Sequence, residues 1–106
     1  MNRSTLTLSI LVAQTLACLS AVSVAADLTK GRLMFQQGTM PACAVCHTLR
    51  DAQSTGKIGP SLDELKPDRD RVVKAIREGL GVMPAFPELS DDDVQLLADY
   101  VATAAK

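Results

Sequence analysis

Residues 41–49 read Pro-Ala-Cys-Ala-Val-Cys-His-Thr-Leu, and the pentapeptide Cys43-Ala44-Val45-Cys46-His47 decides how the rest of the chain folds. Four chemistries use two cysteines at this spacing. A disulfide would close so small a loop that it contributes little stability. A thioredoxin-type redox pair needs βαβ surroundings, and no strand pattern flanks this site. A zinc site needs four ligands, and adjacent Cys46 and His47 do not easily converge on one ion that Cys43 also reaches. The fourth is covalent haem attachment. Two thiols three apart add across the two vinyl groups on one haem edge. The same turn then carries His47, the only histidine in the chain, beneath the iron as proximal ligand.

Length and composition favour the fourth reading. Of 106 residues, the first 26 read as an export signal: Arg3 is the only charge before Asp27, Leu6–Leu19 is apolar, and Val24-Ala25-Ala26 suits a small-x-small cleavage site. An uncleaved anchor is the other reading, although the stretch is short and polar for a membrane span. A lipid-modified Cys18 fits poorly, because Thr15-Leu16-Ala17 is a weak lipobox. The mature domain is then 27–106, exported and expected in a bacterial periplasm, with no membrane span after cleavage. Charge is nearly balanced, with 11 basic and 12 acidic residues, which argues against nucleic acid as a partner. There is no Trp, one Tyr and two Phe, so so small a core needs a staple. Haem supplies it.

The mature chain reads as all-α, with about four short helices and no convincing strand. The first covers about 28–37, with Leu28, Leu33, Met34 and Phe35 as its apolar face and Gly38 as its stop. The attachment motif forms one or two turns through Leu49. Residues 51–61 are small, polar and punctuated by Gly and Pro, hence loop. A third helix starts at Pro67 and ends at Gly79, burying Val72, Val73 and Ile76, with Leu80 just beyond. Ser90 caps the last helix, whose first turn is Asp91-Asp92-Asp93 and whose apolar side is Val94, Leu97, Ala98, Val101 and Ala105.

The sixth position on the iron determines function. With a single histidine, bis-histidine ligation within the chain is excluded. Met34 sits among apolar helix neighbours and suits packing, and Met40 lies too close to Cys43 to reach the far face. Met83 follows His47 by 36 residues, in an irregular loop between Gly81 and Pro84, and is the distal candidate; core filler is its other reading. His47 also needs an acceptor for its second ring N–H. The Ile58-Gly59-Pro60 turn offers the Pro60 carbonyl, with an ordinary loop turn as the alternative. Lys57 and Arg77 are the cations considered for the haem propionates.

These residues resemble the small monohaem class I cytochromes c across the mature chain. The matching pieces are Gly31-x-x-x-Phe35, Cys43-Ala44-Val45-Cys46-His47, Gly59-Pro60-Ser61-Leu62, Met83-Pro84-Ala85-Phe86 and Tyr100. The resemblance implies the class I cytochrome c fold around one haem c held by Cys43 and Cys46. It implies axial ligation by His47 and Met83, a Gly-Pro turn behind the histidine, and terminal helices crossing at Gly31, Phe35 and Tyr100. Phe35 to Cys43 is stretched by Thr39-Met40-Pro41, a departure from the pattern. Residues 41–65 and 79–86 are also similar to cytochromes that accept electrons from periplasmic molybdenum sulfite dehydrogenases.

The expected function is single-electron transfer without enzymatic turnover, in transient complexes of a monomer. A periplasmic dehydrogenase, such as sulfite dehydrogenase, would be the donor, and a terminal oxidase or another cytochrome the acceptor. A haem-based gas sensor or peroxidatic enzyme needs Met83 to dissociate and a distal acid or base, for which no histidine is to spare. A fixed subunit of a sulfite dehydrogenase remains a third form of the same chemistry. Gly38–Leu49 carries no titratable side chain except Cys43, Cys46 and His47, and Gly79–Pro87 carries no charge. Partners are therefore expected on an uncharged collar of Thr39, Met40, Pro41, Ala44, Val82, Ala85 and Phe86. Covering the haem from inside is the other reading of these residues. Arg50, Asp51, Lys57 and Asp91–Asp93 would steer from farther out.

Overall fold

The structure, a computed structural model, describes residues 24, 25 and 27–106; the rest of the predicted export signal lies outside the described residues. Helix α1 covers 27–37 and ends at Gly38, whose N–H donates to the Met34 carbonyl at 2.7 Å. Helix α5, Asp91–Ala104, starts at Ser90, whose hydroxyl accepts from the Asp93 N–H at 3.1 Å. Three acids in its first turn face the positive end of the helix dipole. It buries Val94, Leu97, Ala98, Tyr100 and Val101 at helical spacing.

The two terminal helices meet where α1 has no side chain. A Cβ at Gly31 would stand 2.5 Å from the Tyr100 Cβ and 3.4 Å from the Leu96 carbonyl oxygen, so only glycine allows this approach. One turn later Phe35 meets Tyr100 edge-to-face, with ring centroids 6.1 Å apart. Such a pair adds roughly 0.5–1.5 kcal/mol beyond area burial. From the same helices, Arg32 and Tyr100 reach down to Asp51. The Arg32 guanidinium donates through Nε and Nη2 at 3.0–3.1 Å, and the Tyr100 hydroxyl at 2.7 Å. Gln36 donates to the Ala52 carbonyl at 2.9 Å. The turn just after the attachment motif is thus gripped by both α1 and α5.

Between them lie α2 (Cys43–Cys46), β1 (Thr48–Leu49), a 3₁₀ turn (Arg50–Ala52), β2 (Ser54–Thr55), α3 (Leu62–Leu65) and α4 (Arg69–Glu78). The core that joins them contains Phe35, Leu49, Leu62, Ile76, Phe86, Leu89 and the buried face of α5. Arg69–Asp99 and Arg77–Asp91 ion pairs tie α4 to α5 at the surface, where such pairs contribute little.

The architecture is the expected all-α one, with corrections. Among the described residues there are five α-helices, one beyond the four segments read from the sequence, because Leu62–Leu65 forms a further single turn anchored by buried Leu62. The segment expected to be all loop contains half of a small ribbon. Strands β1 and β2 pair antiparallel, Thr48 with Thr55 and Leu49 with Ser54. The buried Ser54 hydroxyl accepts from the Leu49 N–H at 3.0 Å, making the ribbon with a side chain that composition alone would place in a loop. Helix α4 starts after Pro67, at Arg69, because the Asp68 carboxylate accepts from the Arg71 N–H at 2.8 Å and caps it. Leu33 and Leu80, expected inside, are 49% and 72% exposed; Val72 and Val73 are only half-buried.

The Tyr100 hydroxyl, and then the Arg32 guanidinium, hold the Asp51 carboxyl below its usual range. A carboxyl depressed on folding stabilises above its unfolded pKa, ~3.9, and that contribution is lost as pH falls through the folded value. Asp51→Asn should therefore be less stable than the native protein in chemical denaturation at neutral pH. The gap should shrink steadily on acidification below about pH 4. A gap that persists unchanged into acid would mean the charge on Asp51 is not what the clasp uses.

Candidate haem site

Helix α2 is a single turn that displays both cysteines, and no disulfide joins them. Among the described residues, no three His, Cys, Asp or Glu side chains converge into a metal cage, so the donor set does not suit zinc. Burial pushes the Cys43 thiol up, and the Thr39 hydroxyl lies 3.8 Å from its sulfur. That hydroxyl also donates to the Pro41 carbonyl at 2.8 Å, folding the stretched Thr39-Met40-Pro41 segment back on itself ahead of the motif.

His47 leaves α2 in an extended conformation, its N–H returned to the Cys43 carbonyl at 3.0 Å. Its Nδ1 lies 2.8 Å from the Pro60 carbonyl oxygen. A carbonyl only accepts, so Nδ1 carries the proton and Nε2 keeps its lone pair for a metal. The loop reaches this position because two glycines let it approach closely. A Cβ on Gly59 would stand 2.5 Å from His47 Cε1, and one on Gly56 would stand 2.5 Å from the Val45 carbonyl oxygen. The Gly59 N–H donates to the Cys46 carbonyl at 2.7 Å, and the Thr48 hydroxyl donates to the Gly56 carbonyl at 2.9 Å. A bare backbone pressed against an imidazole with one committed nitrogen fits a ring oriented as an iron ligand behind a C-x-x-C turn. These residues fit haem c.

Met83 is half-buried and packs against the core. Gly79 ends α4 at φ +72, where a Cβ would stand 2.9 Å from the Met83 carbonyl oxygen. Leu80 and Met83 exchange two backbone hydrogen bonds at 3.0 Å each, closing a tight turn around Gly81 and Val82. Beyond it the Phe86 N–H donates to the Ile76 carbonyl at 2.9 Å, and buried Phe86 pins the loop to α4. Met34 packs on the core from α1, while Met40 is 90% exposed.

The collar expected from the sequence is only partly at the surface. Met40, Pro41, Val82 and Ala85 are exposed and Ala44 is half-buried. Thr39 and Phe86 are buried, at 9% and 5%, because one folds back on Pro41 and the other anchors the Met83 loop. Two of the steering charges are likewise spoken for: Asp51 by Arg32 and Tyr100, Asp91 by Arg77. Arg77 also donates to the Leu89 carbonyl at 3.1 Å. Lys57 is exposed. Gly56 and the Asp51 clasp were not anticipated; Arg32 and Gln36, four apart on α1, were the one available trace of the latter.

No described helix is long and apolar enough to cross a membrane. A family model described as cytochrome c oxidase, cbb3-type, subunit III, matches residues 26–101. Cytochrome c6 of Cyanidioschyzon merolae is 33% identical over 96 residues, 87% of this chain and 88% of its own. Cytochrome c-551 of Halorhodospira halochloris is 31% identical over 74 residues, 67% of this chain and 92% of its own. Among solved structures, the c-type cytochrome SorU of Sinorhizobium meliloti superposes with a TM-score of 0.74 at 47% identity, covering 76% of this chain and 93% of that one. With the C-x-x-C-H turn, the helix crossing at Gly31 and these relatives together, the chain belongs to the small monohaem class I cytochromes c, electron-transfer proteins with covalently bound haem c.

Proposed function

We propose that His47 Nε2 and Met83 Sδ are the two axial ligands of the haem iron, and that the protein shuttles single electrons in a bacterial periplasm. In this reading residues 1–26 are an export signal removed from the mature protein. The donor is a periplasmic sulfite dehydrogenase and the acceptor a terminal oxidase or another cytochrome. The observation that carries the histidine assignment is the 2.8 Å contact from His47 Nδ1 to the Pro60 carbonyl, which leaves one ring nitrogen for iron. The donor is supported by the likeness of residues 41–65 and 79–86 to sulfite dehydrogenase acceptors.

The haem, when bound, supplies a one-electron Fe(III)/Fe(II) couple. Everything else is the work of the chain. The Pro60 carbonyl fixes the tautomer and orientation of His47 and raises its basicity. Met83 offers a soft thioether, which favours the reduced ion and raises the potential relative to two imidazoles. The doubly bonded Leu80–Met83 turn and the Phe86 anchor hold that sulfur steady, so little of the loop has to move when the electron arrives or leaves.

Changing Met83 to Ala should abolish the weak near-infrared sulfur-to-iron band of the oxidised protein, lower the potential and let carbon monoxide bind the reduced haem. Survival of the band in that variant, with its loss in Met40→Ala, would move the ligand to Met40.

For docking, Met40 and Val82 are the most exposed large hydrophobic residues of the two uncharged segments, at 90% and 85%. Transient redox complexes bury less than ~1,200 Å², so a small patch of this kind suffices and releases quickly. Steering charges act mainly on association and are screened over ~10 Å at 0.1 M salt. Stopped-flow reduction by the native donor should accordingly depend only weakly on salt. Met40→Lys and Ala85→Lys should each slow it about tenfold, ~1.4 kcal/mol of lost docking. A steep salt dependence with both substitutions silent would relocate the docking face to the charged helices.

A further inference from the structure

Tyr100 is the only tyrosine in the chain, and there is no tryptophan. Outside the haem, the sulfur atoms and the His47 imidazole, it is therefore the side chain that a strong oxidant most readily strips of a single electron. The residue is 1% exposed, its ring edge-on to Phe35 and its Cβ against the bare backbone of Gly31. Its hydroxyl is not left in that apolar setting: it donates to Asp51 Oδ2 at 2.7 Å. Burial, and then this hydrogen bond, push the phenol pKa well up, so ionisation ahead of oxidation is closed off. The carboxylate is held low and stays ionised at neutral pH, with lone pairs to accept a proton.

We infer that Tyr100 and Asp51 form a redox-active pair: a strong one-electron oxidant takes an electron from the phenol while the phenolic proton passes to Asp51 Oδ2. One O–H bond breaks at Tyr100 and one forms at Asp51. The products are a neutral phenoxyl radical, a neutral carboxyl group and the oxidant reduced by one electron. Return of an electron to the ring sends the proton back. An oxidised phenol is a very strong acid, so its proton must leave with the electron, and in a buried ring the only hydrogen-bonded base is the carboxylate. Arg32 works against the transfer, because its fork favours the charged form of Asp51. Enclosure by Phe35 and Gly31 keeps the radical from coupling with a second tyrosine of another molecule. The oxidant is an outer-sphere one-electron acceptor, of the class of the metal polypyridyl ions, and the pair gives the oxidising equivalent it leaves behind a buried place to reside.

The test uses the ferric holoprotein and photogenerated tris(bipyridine)ruthenium(III) as the oxidant, with electron paramagnetic resonance and transient absorption to follow the tyrosyl radical. The native protein should give the radical with a solvent deuterium effect on its formation, and Tyr100→Phe should give none. Asp51→Asn should slow formation by about a hundredfold, the low end of what a positioned base supplies, and erase the isotope effect. Arg32→Gln, which leaves the base and removes the opposing cation, should speed it. That opposite sign separates proton acceptance from mere loosening, since either substitution weakens the clasp. A radical that persists in Tyr100→Phe, or one that forms in Asp51→Asn and Arg32→Gln at the native rate, overturns the assignment. Loss of the radical in both Asp51→Asn and Arg32→Gln would also overturn it, leaving the clasp as a purely structural device.

Discussion

The hydrogen bond from His47 Nδ1 to the Pro60 carbonyl is the contact on which the rest depends. It assigns the proton to one ring nitrogen and so leaves the other with its lone pair free. A free imidazole exchanges its tautomers and turns about its bond; this one is held by an acceptor in front and a bare glycine behind. Gly56 and Gly59 are bare because the loop must run within van der Waals contact of the turn that carries both cysteines. Remove either constraint and the ring loses its orientation, however well the helices pack.

Around that contact the fold divides its labour. The terminal helices close the chain on itself at Gly31 and Tyr100, and then reach through Arg32, Gln36 and Tyr100 to the 3₁₀ turn that follows the haem motif. The other side is built differently. Helix α4 ends at a left-handed glycine, a two-residue turn presents Met83, and Phe86 returns the chain to α4. The histidine side is fixed by polar contacts from α1 and α5, and the methionine side by backbone hydrogen bonds and one buried ring. Rigidity on both sides is what a carrier of single electrons needs.

Much of this was legible in the residues. Cys43, Cys46 and His47 announce their chemistry locally, because the whole haem-attachment motif lies within one turn. Ser90 with three following acids, and the spacing of Val94, Leu97, Ala98 and Val101, announce α5 for the same reason. What failed to show were effects that come from distant parts of the chain. Phe86 read as a surface residue because its burial is set by Ile76, ten positions away, and by the core beyond it. Asp51 read as a solvated charge because its partners lie 19 and 49 residues off. Ser54 read as loop because the strand it completes is two residues long and closed by its own hydroxyl. The start of α4 was misplaced for a smaller reason: Pro67 suits a first turn, yet the Asp68 side chain supplies the better cap.

The ligand assignment is tested most directly by proton and nitrogen NMR of the reduced holoprotein. The Met83 methyl should resonate far upfield, shifted by the haem ring current, and the His47 Nδ1 proton should be visible and slow to exchange because Pro60 holds it. A Met83 methyl at its ordinary position, with the shifted signal belonging to Met40 or Met34, would contradict the account. So would a His47 ring whose proton sits on Nε2.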